Sequence, residues 1–84
     1  MKIVYTYHAK RRMAQRKVAP EQVEETLAWP DDILPGEQDE EIAIKQFGAR
    51  EVSVVYYEDI DRDAIVVYTV ISKRLKRRRE ERKL

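Results

Sequence analysis

His8, Arg12 and Arg16 recur at intervals of four in the stretch YHAKRRMAQRKV, residues 7–18. On an α-helix that spacing lines them up as one polar stripe. Their types fit a definite chemistry. Imidazole is the side chain whose ordinary titration range suits proton transfer at neutral pH, and His8 is the only histidine in the chain. Guanidinium groups grip phosphate oxygens in pairs. Cleavage of RNA without a metal needs a group to take the ribose 2′-hydroxyl proton, cations to hold the developing charge, and a donor for the leaving 5′ oxygen. The stripe offers the first two as candidate catalytic residues, His8, Arg12 and Arg16. Arg11 stands beside it as a further phosphate contact. Tyr56, Tyr57 and Tyr68 are available to stack on bases or to donate a proton. A plainer reading stands next to this one. A histidine at the start of a helix also serves as a structural hydrogen-bonder, and helix arginines also pair with carboxylates or face water.

The elements that must position these side chains can be read from pattern. KIVY, residues 2–5, is a short β-branched run. Thr6 can cap a helix from Tyr7 to about Lys17, with Ala9 and Met13 facing inward. Pro20 opens a second helix, its missing N–H costing nothing at that position and Glu21, Glu24 and Glu25 near the positive end of the dipole. Val23 and Leu27 are its core pair, and Trp29-Pro30 ends it. PDDILPGEQDEE, residues 30–41, reads as a loop with Pro35-Gly36 in a type II turn. EIAIKQF, REVSVVYYE and AIVVYTVIS then read as three strands. In the middle one Val52, Val54 and Tyr56 share one face, Ser53, Val55 and Tyr57 the other. The third is apolar on both faces, as a central strand requires. The expected fold is α+β: a two-layer β-α-α-β-β-β domain over residues 1–72, its antiparallel sheet packed against two helices, followed by a basic tail, 73–84.

Composition narrows the function classes. A chain of 84 residues buries roughly 60–65% of its unfolded surface, enough for one domain with one core. It holds no cysteine and one histidine, which argues against disulfides, zinc and a cysteine nucleophile. The alternating Asp59, Asp61 and Asp63 lack the glycine and distal glutamate of a calcium loop, so they read as a turn and no metal is expected. No cofactor is expected either. No apolar run reaches membrane-spanning length and no signal-like stretch opens the chain, so the expected compartment is the cytoplasm. The net charge of +1 hides an uneven distribution. Residues 1–17 carry six basic and no acidic side chains, residues 18–71 three basic and fourteen acidic, and residues 72–84 eight basic and two acidic. Two basic ends flanking an acidic middle call for a polyanion or for pairing within the chain. In the tail, Lys73, Arg74, Lys76, Arg77, Arg78 and Arg79 are expected nucleic-acid contacts of a salt-dependent, sequence-blind kind. The absence of asparagine and 39% charged residues suit a thermophilic source.

The run YHAKRRMAQRKVAPEQVEETLAWPD followed by three strands resembles an uncharacterised family, a domain of unknown function with a His-Ala, Arg-Met, Arg pattern and a Pro-Asp or Pro-Glu ending. In this chain His8, Arg12, Met13, Arg16 and Pro30 carry the match, over residues 1 to about 72. That family is similar in turn to the RelE and BrnT endoribonuclease toxins of toxin–antitoxin pairs. The resemblance implies a RelE-like fold, a basic sheet face that holds RNA, an antitoxin-like protein partner, and His8 with the helix arginines at the site. Two other functions fit the residues: a nucleic-acid-binding module without catalysis, and a protein-interaction domain.

Overall fold

The computed structural model describes residues 2–75. Strand β1 (Lys2–Tyr5) leads through Thr6 into helix α1 (Tyr7–Arg16), followed by α2 (Pro20–Ala28) and four strands, β2 (Asp32–Pro35), β3 (Glu41–Phe47), β4 (Arg50–Asp59) and β5 (Ala64–Arg74). The five strands form one sheet in the order β1-β5-β4-β3-β2. The fold is α+β in two layers, as expected, with two corrections.

First, the sheet is mixed. β1 pairs parallel to β5, Tyr5 opposite Val67, and the other pairs are antiparallel. The helices cause this: two consecutive helices carry the chain across from β1, so it need not return by a hairpin. Second, residues 30–41 are not all loop. Asp32–Pro35 pairs with Glu41–Ile44 as a fifth, edge strand. A lone Ile-Leu pair between prolines gives too little alternation to mark a strand, and an edge tolerates the missing Pro35 N–H. The turn therefore falls later than Pro35-Gly36. Gly36 donates its N–H to the Glu40 carbonyl at 2.9 Å and lacks the positive φ that a type II turn requires. A Cβ at Gly36 would lie 2.7 Å from that same carbonyl oxygen.

Thr6 caps α1 as its position predicts. Its hydroxyl oxygen accepts from the Ala9 N–H at 3.0 Å and donates to the Tyr68 carbonyl at 2.9 Å. One side chain thus closes the helix start, a contribution of about 1 kcal/mol, and ties it to β5. At the other end Lys17 takes the left-handed conformation, φ 56°. In α2 the Gln22 side chain accepts from the Ala19 N–H, and buried Thr26 donates to the Gln22 carbonyl. Ala9 and Met13 of α1, Val18 after it and Val23 of α2 bury against Val52, Val54, Val67 and Val70, with Ile3, Tyr5, Leu27, Phe47 and Tyr56 around them.

The pairing of β4 with β5 slips by one residue. Val55 faces Thr69 and Tyr56 faces Val67, so Tyr68 has no partner and forms a β-bulge. The slip lets Val67 and Val70, three apart, both point into the core. β5 also runs to Arg74, which puts Lys73 and Arg74 in the sheet rather than in the basic tail expected from residue 73. The hairpin with β4 supplies the backbone partners, Glu51 for Lys73 and Arg50 for Arg74. Lys76, Arg77, Arg78 and Arg79 lie outside the described residues. No helix among the described residues is long and apolar enough to cross a membrane.

Candidate nucleic-acid interface

α1 begins where β1 ends and lies along β5 beyond the last residue that β1 pairs, Val67. Burial of Ala9 and Met13 fixes its rotation, and His8, Arg12 and Arg16 follow as a stripe one position around. His8 and Arg16 are exposed and Arg12 is half-buried. Arg12 Nε donates to His8 Nε2 at 3.4 Å, and one Arg12 terminal nitrogen reaches Gln15 Oε1 at 3.2 Å. Because Nε2 accepts here, the imidazole proton sits on Nδ1, a tautomer assigned from the hydrogen bond. The bulged Tyr68 stands beside the imidazole, with ring centroids 6.1 Å apart and planes tilted by 34°.

Of the three candidate tyrosines, Tyr56, Tyr57 and Tyr68, it is Tyr68 that joins His8. Tyr56 lies on the helix side and donates to Glu41 Oε1 at 2.9 Å. Burial, then that carboxylate, pushes its phenol up from 10.0 to about 12. Tyr5 is also raised, by burial first and then by Glu24 and Glu21. The unfolded phenol titrates near 10 and the folded one higher, so the stabilisation is whole below pH 10 and is lost as pH rises toward 12. Tyrosinate absorbance followed through an alkaline titration should show a late step above pH 10 from Tyr56 and Tyr5, and Tyr56→Phe should remove the Tyr56 share of it.

Arg11 leaves the stripe and sits over the Tyr7 ring at 5.9 Å, a cation–π contact on the exposed flank of the helix start. The stripe's far end gains a residue that sequence reasoning did not single out. Arg50, half-buried at the start of β4, donates from Nη2 to the Arg16 and Lys17 carbonyls at 2.9 and 2.8 Å, and from Nε to Ser72 Oγ at 2.8 Å. It closes the C-terminus of α1, where carbonyls lack helical partners. Only the register of the last hairpin, which puts Arg50 opposite Arg74, reveals it. The ion pairs among the described residues, Lys45–Asp31 and Arg62–Asp59, involve none of the stripe. The acidic middle is used locally instead. Asp31 accepts from the Gln46 N–H, and Asp59 caps the turn at Arg62.

The sheet face turned away from the helices differs from the basic one that the resemblance implies. Rows read across the register carry Leu34, Ile42, Val55 and Thr69, then Asp32, Ile44, Ser53 and Ile71, then Gln46, Glu51 and Lys73. Leu34, Tyr57 and Ile71 are each more than two-fifths exposed there. Tyr57 and Tyr68 end this face against the acidic Glu37–Glu40 turn. The cations that the structure does bring together run along the α1 edge. No three His, Cys, Asp or Glu side chains cluster in a way that would hold a metal among the described residues.

A family model described as a domain of unknown function, DUF4258, matches residues 5–72. No curated protein and no solved structure matches the chain.

Proposed function

Since the chain belongs to the DUF4258 family, which carries no assigned activity, we propose from the geometry that it is a toxin-like RNA-binding protein that cleaves single-stranded RNA without a metal. The observation that supports this reading is the contact of His8 with both Arg12 and Tyr68 at the head of a cationic helix edge. An entering phosphate draws the Arg12 guanidinium onto its oxygens, since a charged acceptor binds it more strongly than a neutral imidazole does. Nε2 is then free to take the ribose 2′-hydroxyl proton. The 2′ oxygen forms its bond to phosphorus as the bond to the 5′ oxygen breaks, and Tyr68 gives that oxygen a proton. The imidazolium returns a proton to the phenolate through water. The products are a 2′,3′-cyclic phosphate and a 5′-hydroxyl. Arg12, the guanidinium bonded to His8, holds the charge that builds on the phosphorane oxygens.

An antitoxin-like protein partner belongs to the same proposal and is supported by the exposed Leu34, Tyr57 and Ile71 on the open sheet face. For the activity itself, the purified protein is incubated with a single-stranded RNA and with the same strand carrying one 2′-deoxyribose at the cleaved position. The RNA should be cut to a cyclic phosphate end, and the substituted linkage should survive. Cleavage of both strands alike would refute the 2′-hydroxyl chemistry.

A further inference from the structure

Arg16, Arg50, Ser72 and Arg74 line an open pocket of about 310 Å³ where the C-terminus of α1 meets the last hairpin. Three features of it are unusual for a surface that only has to be soluble. Arg50 and Arg74 stand directly opposite each other on adjacent antiparallel strands, an arrangement of like charges that costs stability. Arg16 adds a third cation from the helix. No carboxylate of the described residues forms an ion pair with any of the three. The middle of the pocket is also held in place. Arg50 spends Nε on Ser72 and both Nη2 hydrogens on the Arg16 and Lys17 carbonyls. Those bonds fix the guanidinium plane and leave both Nη1 hydrogens unspent. The two carbonyls, otherwise a source of negative potential at a helix C-terminus, are already satisfied by the same group.

We propose that Arg16, Arg50 and Arg74 form a phosphate-binding pocket, separate from the His8 end of the stripe. Arg50 is its preorganised member, while Arg16 and Arg74 are exposed arms that close on the anion. The pocket takes a phosphate group, whether carried on a polynucleotide or free in solution. The first source rests on the RNA reading above. His8 and Arg16 are eight residues apart, about 12 Å along the helix axis, so a strand engaged at His8 would place a phosphate more than one nucleotide away in this pocket. Such a contact positions the strand and carries no sequence information.

The test uses the full chain, wild type and Arg74→Ala, with Arg62→Ala as the control, an equal loss of charge in the turn at the far end of the same hairpin. Arg74 is exposed and its substitution leaves the Arg50 bonds in place, which circular dichroism checks. In one arm, arginine side-chain NMR resonances are followed as inorganic phosphate is added at constant ionic strength. In the other, binding of a 2′-deoxy-protected single strand is measured by fluorescence anisotropy over a salt series. Arg74→Ala should weaken strand binding about 5- to 10-fold and reduce the salt slope by about one, whereas Arg62→Ala should leave both unchanged. A phosphate-induced shift of the Arg50 resonance that Arg74→Ala abolishes, without any strand binding by wild type, would keep the pocket as a free-phosphate site and refute the RNA reading. Strand affinity and salt slope unaltered by Arg74→Ala, together with no phosphate-induced shift, would overturn the pocket itself.

Discussion

His8→Ala should lower the rate of RNA cleavage 10²- to 10⁴-fold, the usual contribution of a positioned general base, while single-strand affinity stays within about twofold of wild type. The imidazole is exposed, accepts from Arg12 and lies beside the Tyr68 ring, and fills no core position, so its removal has little to unfold. Cleavage kinetics and anisotropy on the same preparations separate the two effects. Equal cleavage by wild type and variant would remove His8 from the chemistry. Tight binding by both, with cutting by neither, would make the protein a binding module whose histidine merely orients Arg12. Tyr68→Phe sharpens the result, because it keeps the ring beside the imidazole and deletes only the hydroxyl that would donate the proton.

Arg50→Ala should cost about 2–4 kcal/mol of stability, read as a drop in the urea midpoint at unchanged slope. Three hydrogen bonds from a charged donor disappear with it, each of a kind that contributes about 1.5–3 kcal/mol alone but less than additively. Two carbonyls at the end of α1 lose their protein donor. Relief of repulsion from Arg74 offsets a little of the loss. Arg50→Lys should recover only a minor part, since an ammonium cannot span a serine hydroxyl and two carbonyls in one plane. Ser72→Ala, which removes one bond, should cost about 1 kcal/mol. A midpoint for Arg50→Ala within error of wild type would mean that water replaces the arginine at no cost.

The reasons for what could and could not be read in the sequence are local. Thr6, Ala9, Met13, Pro20 and Val23 were legible because caps and helical spacing act within one or two turns. The stripe of His8, Arg12 and Arg16 followed from the same periodicity. β2 was hidden because Ile33 and Leu34 become a strand only through their pairing with Ala43 and Ile42. The parallel β1–β5 pair was hidden because nothing in KIVY states which strand it will meet. Arg50 belonged with these. Its neighbours Arg16, Lys17 and Ser72 lie 34, 33 and 22 residues away, and a one-residue slip at Tyr68 decides which strand residues face it. Composition shows that charge is uneven along the chain, and long-range register decides where the described cations gather.

The parallel pairing of the first strand with the last also has a consequence in time. Every residue of the stripe sits on α1, the first helix made, yet α1 is held in place by Val67, Tyr68 and Val70 of β5, the final strand. Synthesis therefore delivers the cations long before the surface that aligns them. A nascent chain that has reached only β4 carries His8 and its arginines on a helix of ten residues, too short to persist alone in water. The proposed interface needs β5 before its cations align, so an edge able to hold RNA would form only after nearly the whole domain has emerged.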